Sequence, residues 1–225
     1  MSTREEAVAR MLGRYDRAEE IGFVDQRFAY WYVRTKVDMD PVLTKIFELA
    51  SAEGSYGDIL DLGCGRGQLA LLLGEAGLAR SVHGVDWDEP KIRVARAAAS
   101  GASYEARFDA GDLRTVELPE VDTVLLVDVL HYLAPAEQDV VLLRAARSAR
   151  RRVLVRDVDP DRGSSSTLTK SWEWVTTTLG YNRGERVAPR SFADISSALT
   201  AEGFTVEQEL CGARGLSNVL LVARR

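Results

Sequence analysis

From residue 57 onward, short apolar runs alternate with helical patterns, and this rhythm constrains the fold more than any other feature of the chain. GDILDL is a short apolar strand, and QLALLLGEAG reads as a helix ended by Gly77. SVHGVD is a second strand, after which Asp88 can cap the helix EPKIRVARAAA. ASYEARFDA reads as a third strand. VDTVLLVDV is the most apolar one, as expected at the centre of a parallel sheet buried on both faces. PAEQDVVLLRAARSAR is a helix with Pro135 near its start, and RRVLVRDV is strand five. Strands linked through helices predict an α/β, doubly wound, mostly parallel sheet. Ser191 and Asp194 resemble a capping box before SFADISSALTAEG. FTVEQEL and SNVLLVARR read as strands six and seven, a closing antiparallel hairpin joined by the turn CGARG.

Residues 1–50 have a different pattern and predict an N-terminal helical cap belonging to the same domain. Val8, Met11, Leu12 and Tyr15 mark one helical face, and Asp40-Pro41 is a helix start. Between them lies an aromatic-dense segment, FVDQRFAYWYVRTK. Residues 51–225 form the main domain, with a lid insertion expected at about 158–190. There DPDRGSSST is a loop by composition, and Leu168, Trp172, Val175 and Leu179 share one face of a predicted helix.

The glycines of ILDLGCGRGQLALLL sit at the seam between strand one and its helix. Such loops let backbone approach a nucleotide-like ligand. A dinucleotide G-x-G-x-x-G counted from Gly63 requires glycine at position 68, which is Gln68. The pattern is Asp61-x-Gly63-x-Gly65-x-Gly67, and the Gly-Lys-Ser/Thr of a P-loop is missing. Strand two ends in Asp86, where a carboxylate can accept hydrogen bonds from both hydroxyls of a ribose. Trp87 offers a flat face for a purine. Strand three is followed by Gly111-Asp112-Leu113, whose carboxylate can accept an exocyclic amine proton, and strand four ends in Asp128. All lie at C-terminal strand ends, where open α/β sheets bind ligands.

This assembly resembles the class I S-adenosylmethionine-dependent methyltransferases, over residues 57–157 and the terminal hairpin. The resemblance implies a Rossmann-like sheet of seven strands with a reversed hairpin at one edge. It implies S-adenosylmethionine as cofactor and S-adenosylhomocysteine as product. The backbone of Gly63 and Gly65 would face the methionine part, with Asp61 close by and Cys64 as small packing in the loop. Asp86 would hold the ribose and Asp112 the adenine amino group, with Leu113 at the ring. Asp128 or its carbonyl would sit near the cofactor amine. YWYVRTKVDMDPVL, VAPRSFADISSAL and GLSNVLLVARR are in addition similar to small-molecule methyltransferases of bacterial aryl-polyene, fatty-acid or polyketide pathways. That likeness implies a small aromatic or acyl acceptor, free or on a carrier protein, in secondary metabolism.

Asp128-Val129-Leu130-His131-Tyr132 lacks the Asn/Asp-Pro-Pro-aromatic motif of amino-directed members and the Pro-Cys pair of cytosine-C5 members. O- or C-methylation is therefore favoured, and those acceptors must lose a proton. His131 is read either as that base or as a residue covering the cofactor. His83 is read as a core residue. Phe23, Phe28, Tyr30, Trp31 and Tyr32 crowd into one short segment, as lid packing or as a pocket wall. Tyr30, Arg34 and Trp174 are the substrate-side candidates; Arg34 or Lys36 can meet a carboxylate or lie on a solvated face. Arg150, Arg151 and Arg152 are expected at a solvated helix C-terminus.

The net charge of −5 and pI of about 5.3 argue against a nucleic-acid partner. Two cysteines, Cys64 and Cys211, and two histidines give neither a disulfide framework nor a metal-ligand spacing. The charged start and the interrupted apolar runs predict a cytoplasmic protein without a membrane span, and a monomer or homodimer is expected. Rival readings are a cofactor-binding scaffold or regulator without turnover, a protein or RNA methyltransferase, and an NAD-linked oxidoreductase.

Overall fold

A computed structural model describes residues 3–18, 21–157, 188–211 and 219–225. Three helices come first: α1 (Arg4–Asp16), α2 (Phe23–Met39) and α3 (Pro41–Glu53). The remainder runs β1 (Asp58–Leu62), α4 (Gln68–Glu75), β2 (Ser81–Asp86), α5 (Glu89–Ala99), β3 (Glu105–Ala110), β4 (Val121–Val127), α6 (Pro135–Ser148), β5 (Ala149–Arg156), α7 (Phe192–Ala201), β6 (Thr205–Leu210) and β7 (Val219–Arg224). The aromatic-dense segment is thus itself a helix, α2. The expected loop and helix between residues 158 and 187 and most of the β6–β7 turn lie outside the described residues.

The helix starts follow local chemistry. The Thr3 hydroxyl accepts from the Glu6 N–H while the Glu6 carboxylate accepts from the Thr3 N–H, a reciprocal cap on α1. Asp40 caps α3 through the Val42 N–H at 3.1 Å, with Pro41 as first residue. Asp88 caps α5, and Ser191 caps α7 through the Asp194 N–H.

The sheet order is β3-β2-β1-β4-β5-β7-β6, parallel except for β7, which runs antiparallel to both neighbours. Alternation along each strand divides the core into two layers. Ile59 and Leu125 point towards α1 to α5, where Met11, Val33, Ile46 and Leu72 pack. Leu60, Leu62, Val124 and Leu126 point towards α6 and α7, against Val141, Ile195 and Leu199. The first layer joins the N-terminal helices to the sheet in one core. Asp61, two residues after Ile59, therefore faces the side covered by α1 to α5.

Two expectations are corrected here. Arg150, Arg151 and Arg152 do not end a helix: α6 stops at Ser148 and all three lie in β5. Alternation turns Arg152 inward, where it is buried, pairs with Glu53 at 2.7 Å and stacks on the Tyr56 ring at 4.6 Å. A guanidinium is tolerated inside when its charge is paired. His83 is not fully in the core: it is partly buried, with Nε2 at 2.8 Å from the Asp109 carboxylate on β3.

Candidate active site

The three glycines of the first loop all have positive φ, at 78°, 57° and 78° for Gly63, Gly65 and Gly67. Their surroundings differ. A Cβ on Gly63 would meet the Val129 side chain at 2.5 Å, and one on Gly67 would meet the Phe108 ring at 2.7 Å. Both are glycines because other parts of the fold come too close. A Cβ on Gly65 would meet nothing within 4 Å. The middle glycine therefore borders open space. Cys64 beside it is buried against Gly84, and burial raises its thiol pKa well above the usual value, so the thiol stays protonated.

Two carboxylates stand behind this loop. Asp86 is buried, and its oxygens accept from the Gly65 N–H at 2.8 Å and the Asp88 N–H at 3.0 Å. One side chain thus ties the β1 loop to the β2 turn. Each oxygen keeps a second lone pair, the capacity needed to accept two hydroxyls of a ribose. Asp61 is 2% exposed. Burial, and then the neighbouring Asp86 charge, push its pKa up to about 7. A carboxyl held in this state is primed for a cation: a positive group placed beside it would restore its charge.

The remaining sequence-chosen residues are spread around the same rim. The Gly111 N–H donates to the Asp86 carbonyl at 3.0 Å, which ties the β3 turn to β2. Leu113 is buried and Trp87 is 65% exposed, its face open. The Asp112 carboxylate is not open: Arg114 grips it through its guanidinium, with Nε at 2.8 Å and Nη2 at 2.6 Å, and through its backbone N–H. These bonds hold the Asp112 pKa below its usual value. The Asp128 carboxylate is likewise engaged, by Arg156 and by Lys36 at 3.8 Å. Its backbone sits at φ 57°, the one non-glycine residue in that region among the described residues. Strain of this kind is held only where surroundings over-determine it, and it turns the chain sharply at the end of β4.

That turn delivers His131. Leu130–Tyr132 form a short 3₁₀ turn with His131 buried. Its ring Nδ1 faces Asp157 Oδ1, and its backbone N–H donates to Asp157 Oδ2 at 3.1 Å. Asp157 is buried immediately after β5, the strand next to β4. The His131 carbonyl accepts from the Ala188 N–H at 2.9 Å. The residues on either side of the undescribed segment 158–187 thus both bond His131. The sequence reading missed Asp157, although an acid at a strand's C-terminal end was the signal used for Asp61, Asp86 and Asp128.

Helix α2 crosses above these loops. The Arg66 guanidinium lies over the rings of Tyr32 at 4.5 Å and Phe28 at 5.4 Å. From α1, the buried Tyr15 hydroxyl donates to the Arg66 carbonyl at 2.7 Å. One turn beyond Tyr32, Lys36 pairs with Asp128 and Asp40. Burial opposes the Lys36 charge, but the two carboxylates outweigh it and its pKa is raised. The stripe Phe28, Tyr32, Lys36 therefore runs from the glycine loop to the end of β4. Tyr30 and Arg34 face elsewhere: Arg34 donates to the Tyr30 hydroxyl at 3.4 Å, pairs with Asp38 at 3.7 Å and is half exposed. Trp174 lies outside the described residues. Arg66 was not singled out from sequence, and Tyr15 only as part of a helical face; an arginine inside a glycine loop opposite an aromatic-rich segment was the available signal.

Residues 59–152 match a family model described as a methyltransferase domain. The strand order around them is that of the methyltransferase Rossmann-like fold. Several solved structures are similar in fold. Magnesium protoporphyrin IX methyltransferase from Synechocystis PCC 6803, with bound SAH, is 24% identical over 88% of this chain and 87% of that one, with a TM-score of 0.63. An O-methyltransferase family protein from Burkholderia thailandensis is 19% identical over 86% and 58%, with a TM-score of 0.63. A complex between the Haloferax volcanii Trm112 methyltransferase activator and a putative methyltransferase matches at 17% identity over 76% and 83%, with a TM-score of 0.58. At these identities the likeness establishes the fold. A search of curated proteins gave no match. Among the described residues no helix is long and apolar enough to cross a membrane, and no cluster of acids, histidines or cysteines has the makings of a metal site.

Proposed function

We propose that this chain transfers the methyl group of S-adenosylmethionine to a small organic acceptor, free or carrier-bound, at oxygen or carbon. The observation that carries the reading is the open space at Gly65, backed by Asp61 and Asp86, with His131 at the neighbouring strand end. The methionine part would lie along the Gly63–Gly65 backbone. Its ammonium would approach Asp61, whose carboxyl regains its charge beside a cation. Asp86 would accept the ribose hydroxyls while holding Gly65, and Trp87 would border the adenine. The Asp112 carboxylate is already gripped by Arg114, so an adenine amino group there would compete with that pair or use the adjacent backbone. For Asp128 the carbonyl would be the better acceptor for the cofactor amine, its carboxylate being held by Arg156 and Lys36. Methyl transfer is largely a matter of alignment and water exclusion. Helix α2 supplies part of the cover.

Calorimetric titration with S-adenosylmethionine, S-adenosylhomocysteine and NADH tests the reading. Micromolar binding of both adenosyl compounds with NADH silent supports it. A folded protein that binds neither would remove the cofactor from the site. Conversion to S-adenosylhomocysteine with a screened acceptor then separates an enzyme from a scaffold.

A further inference from the structure

We propose that Asp157 is a positioning residue that holds His131 as a general base, so that the acceptor is a group carrying a proton to be lost, a hydroxyl or an acidic carbon. This rests on the methyl-transfer reading above. A single carboxylate addresses His131 twice: Oδ2 accepts from the backbone N–H, and Oδ1 faces the ring Nδ1. The first bond alone would suffice to cap the 3₁₀ turn. The second fixes the ring.

An ionised carboxylate only accepts hydrogen bonds, so Nδ1 must carry the hydrogen in this pair. In the neutral imidazole that leaves the lone pair on Nε2, the atom turned away from Asp157. Both side chains are buried, His131 at 8% and Asp157 at 4% exposure, so water competes little with the pairing. The Tyr132 ring lies 4.0 Å from the imidazole, and the Ala188 N–H holds the His131 carbonyl. Ring, turn and tautomer are therefore set by the fold before any acceptor arrives. For a hydroxyl acceptor, the oxygen forms the new O–C bond to the sulfonium methyl. The C–S bond breaks with its electron pair left on sulfur, and the hydroxyl proton passes to Nε2, from which water later removes it. A carboxylate acceptor has no proton to give and would have no use for this arrangement.

The chain has two histidines, His83 and His131, so ring-¹⁵N-labelled protein gives two imidazole signals, which His131→Gln assigns. Neutral His131 is expected in the Nδ1–H form. Asp157→Asn should move it towards the Nε2–H form, because an asparagine oriented to donate to Nδ1 makes that atom the acceptor. His83 serves as internal control. A wild-type His131 in the Nε2–H form, or a tautomer unmoved by Asp157→Asn in a folded variant, would overturn the proposal. With an acceptor found by screening, Asp157→Asn should lower kcat by roughly 10²-fold with KM nearly unchanged. A best acceptor bearing only a carboxylate would overturn the acceptor class. Loss of S-adenosylmethionine binding in the wild type would instead refute the methyl-transfer reading and leave the tautomer result standing.

Discussion

Asp61→Asn should make the unliganded protein more stable and its cofactor complex weaker. The Asp61 carboxyl has a pKa of about 7 in the fold, against 3.8 for an unperturbed aspartate. The folded state thus holds this proton over a range where the unfolded chain has released it. Stability from this group is fully present below pH 4, falls as pH rises from about 4 to 7, and is flat above. The gap of about three pH units corresponds to at most about 4 kcal/mol at pH 8. For a chain of 225 residues that is a rise in melting temperature on the order of 10 °C. Asparagine keeps the shape and has no such titration. Urea unfolding at pH 4.5 and pH 8 reads the difference, with the variant's advantage expected only at the higher pH. Binding should show the reverse. A cation beside Asp61 draws the proton off, so wild-type titrations near pH 6.5 in buffers of different ionisation heat should show proton release, and the variant none. An Asp61→Asn protein destabilised equally at both pH values would refute the reasoning.

Further outcomes concern the loop and the residues that hold it. Asp86→Ala should weaken S-adenosylhomocysteine binding by about 1.5–3 kcal/mol, the worth of hydrogen bonds to a charged group, as read by calorimetry. Gly65→Ala should fold with a cost of roughly 1 kcal/mol from its positive φ, yet lose affinity because the methyl enters the open space. Gly63→Ala and Gly67→Ala should instead cost several times that in thermal unfolding, since their methyls collide with Val129 and Phe108. Tyr15→Phe should cost about 1–3 kcal/mol of stability by stranding the buried Arg66 carbonyl, and equal stability of the variant would show that the bond contributes nothing.

Much of the fold was readable because its signals are local. Asp40-Pro41, Asp88 and Ser191 announce helix starts through side chains that bond their own next turn. The run VLLV marks β4 as central because only a strand covered on both faces bears no polar alternation. Local pattern failed where partners are distant. Arg152 reads as a solvated charge until Glu53 and Tyr56, about a hundred residues earlier, are brought against it. The Asp128 carboxylate reads as an open ligand, yet Arg156, 28 positions later, holds it.

The site divides in the same way. That a glycine loop follows β1 and that acids end the strands around it is legible in the residues alone, since a residue's strand position is a matter of counting. Which glycine faces open space depends on packing, because Gly63 and Gly67 are crowded by residues from other elements. The fold alone joined His131 to Asp157, 26 positions apart, by placing β4 beside β5. It alone raised the Asp61 pKa, because burial and the Asp86 charge come from neighbours that strand pairing assembles.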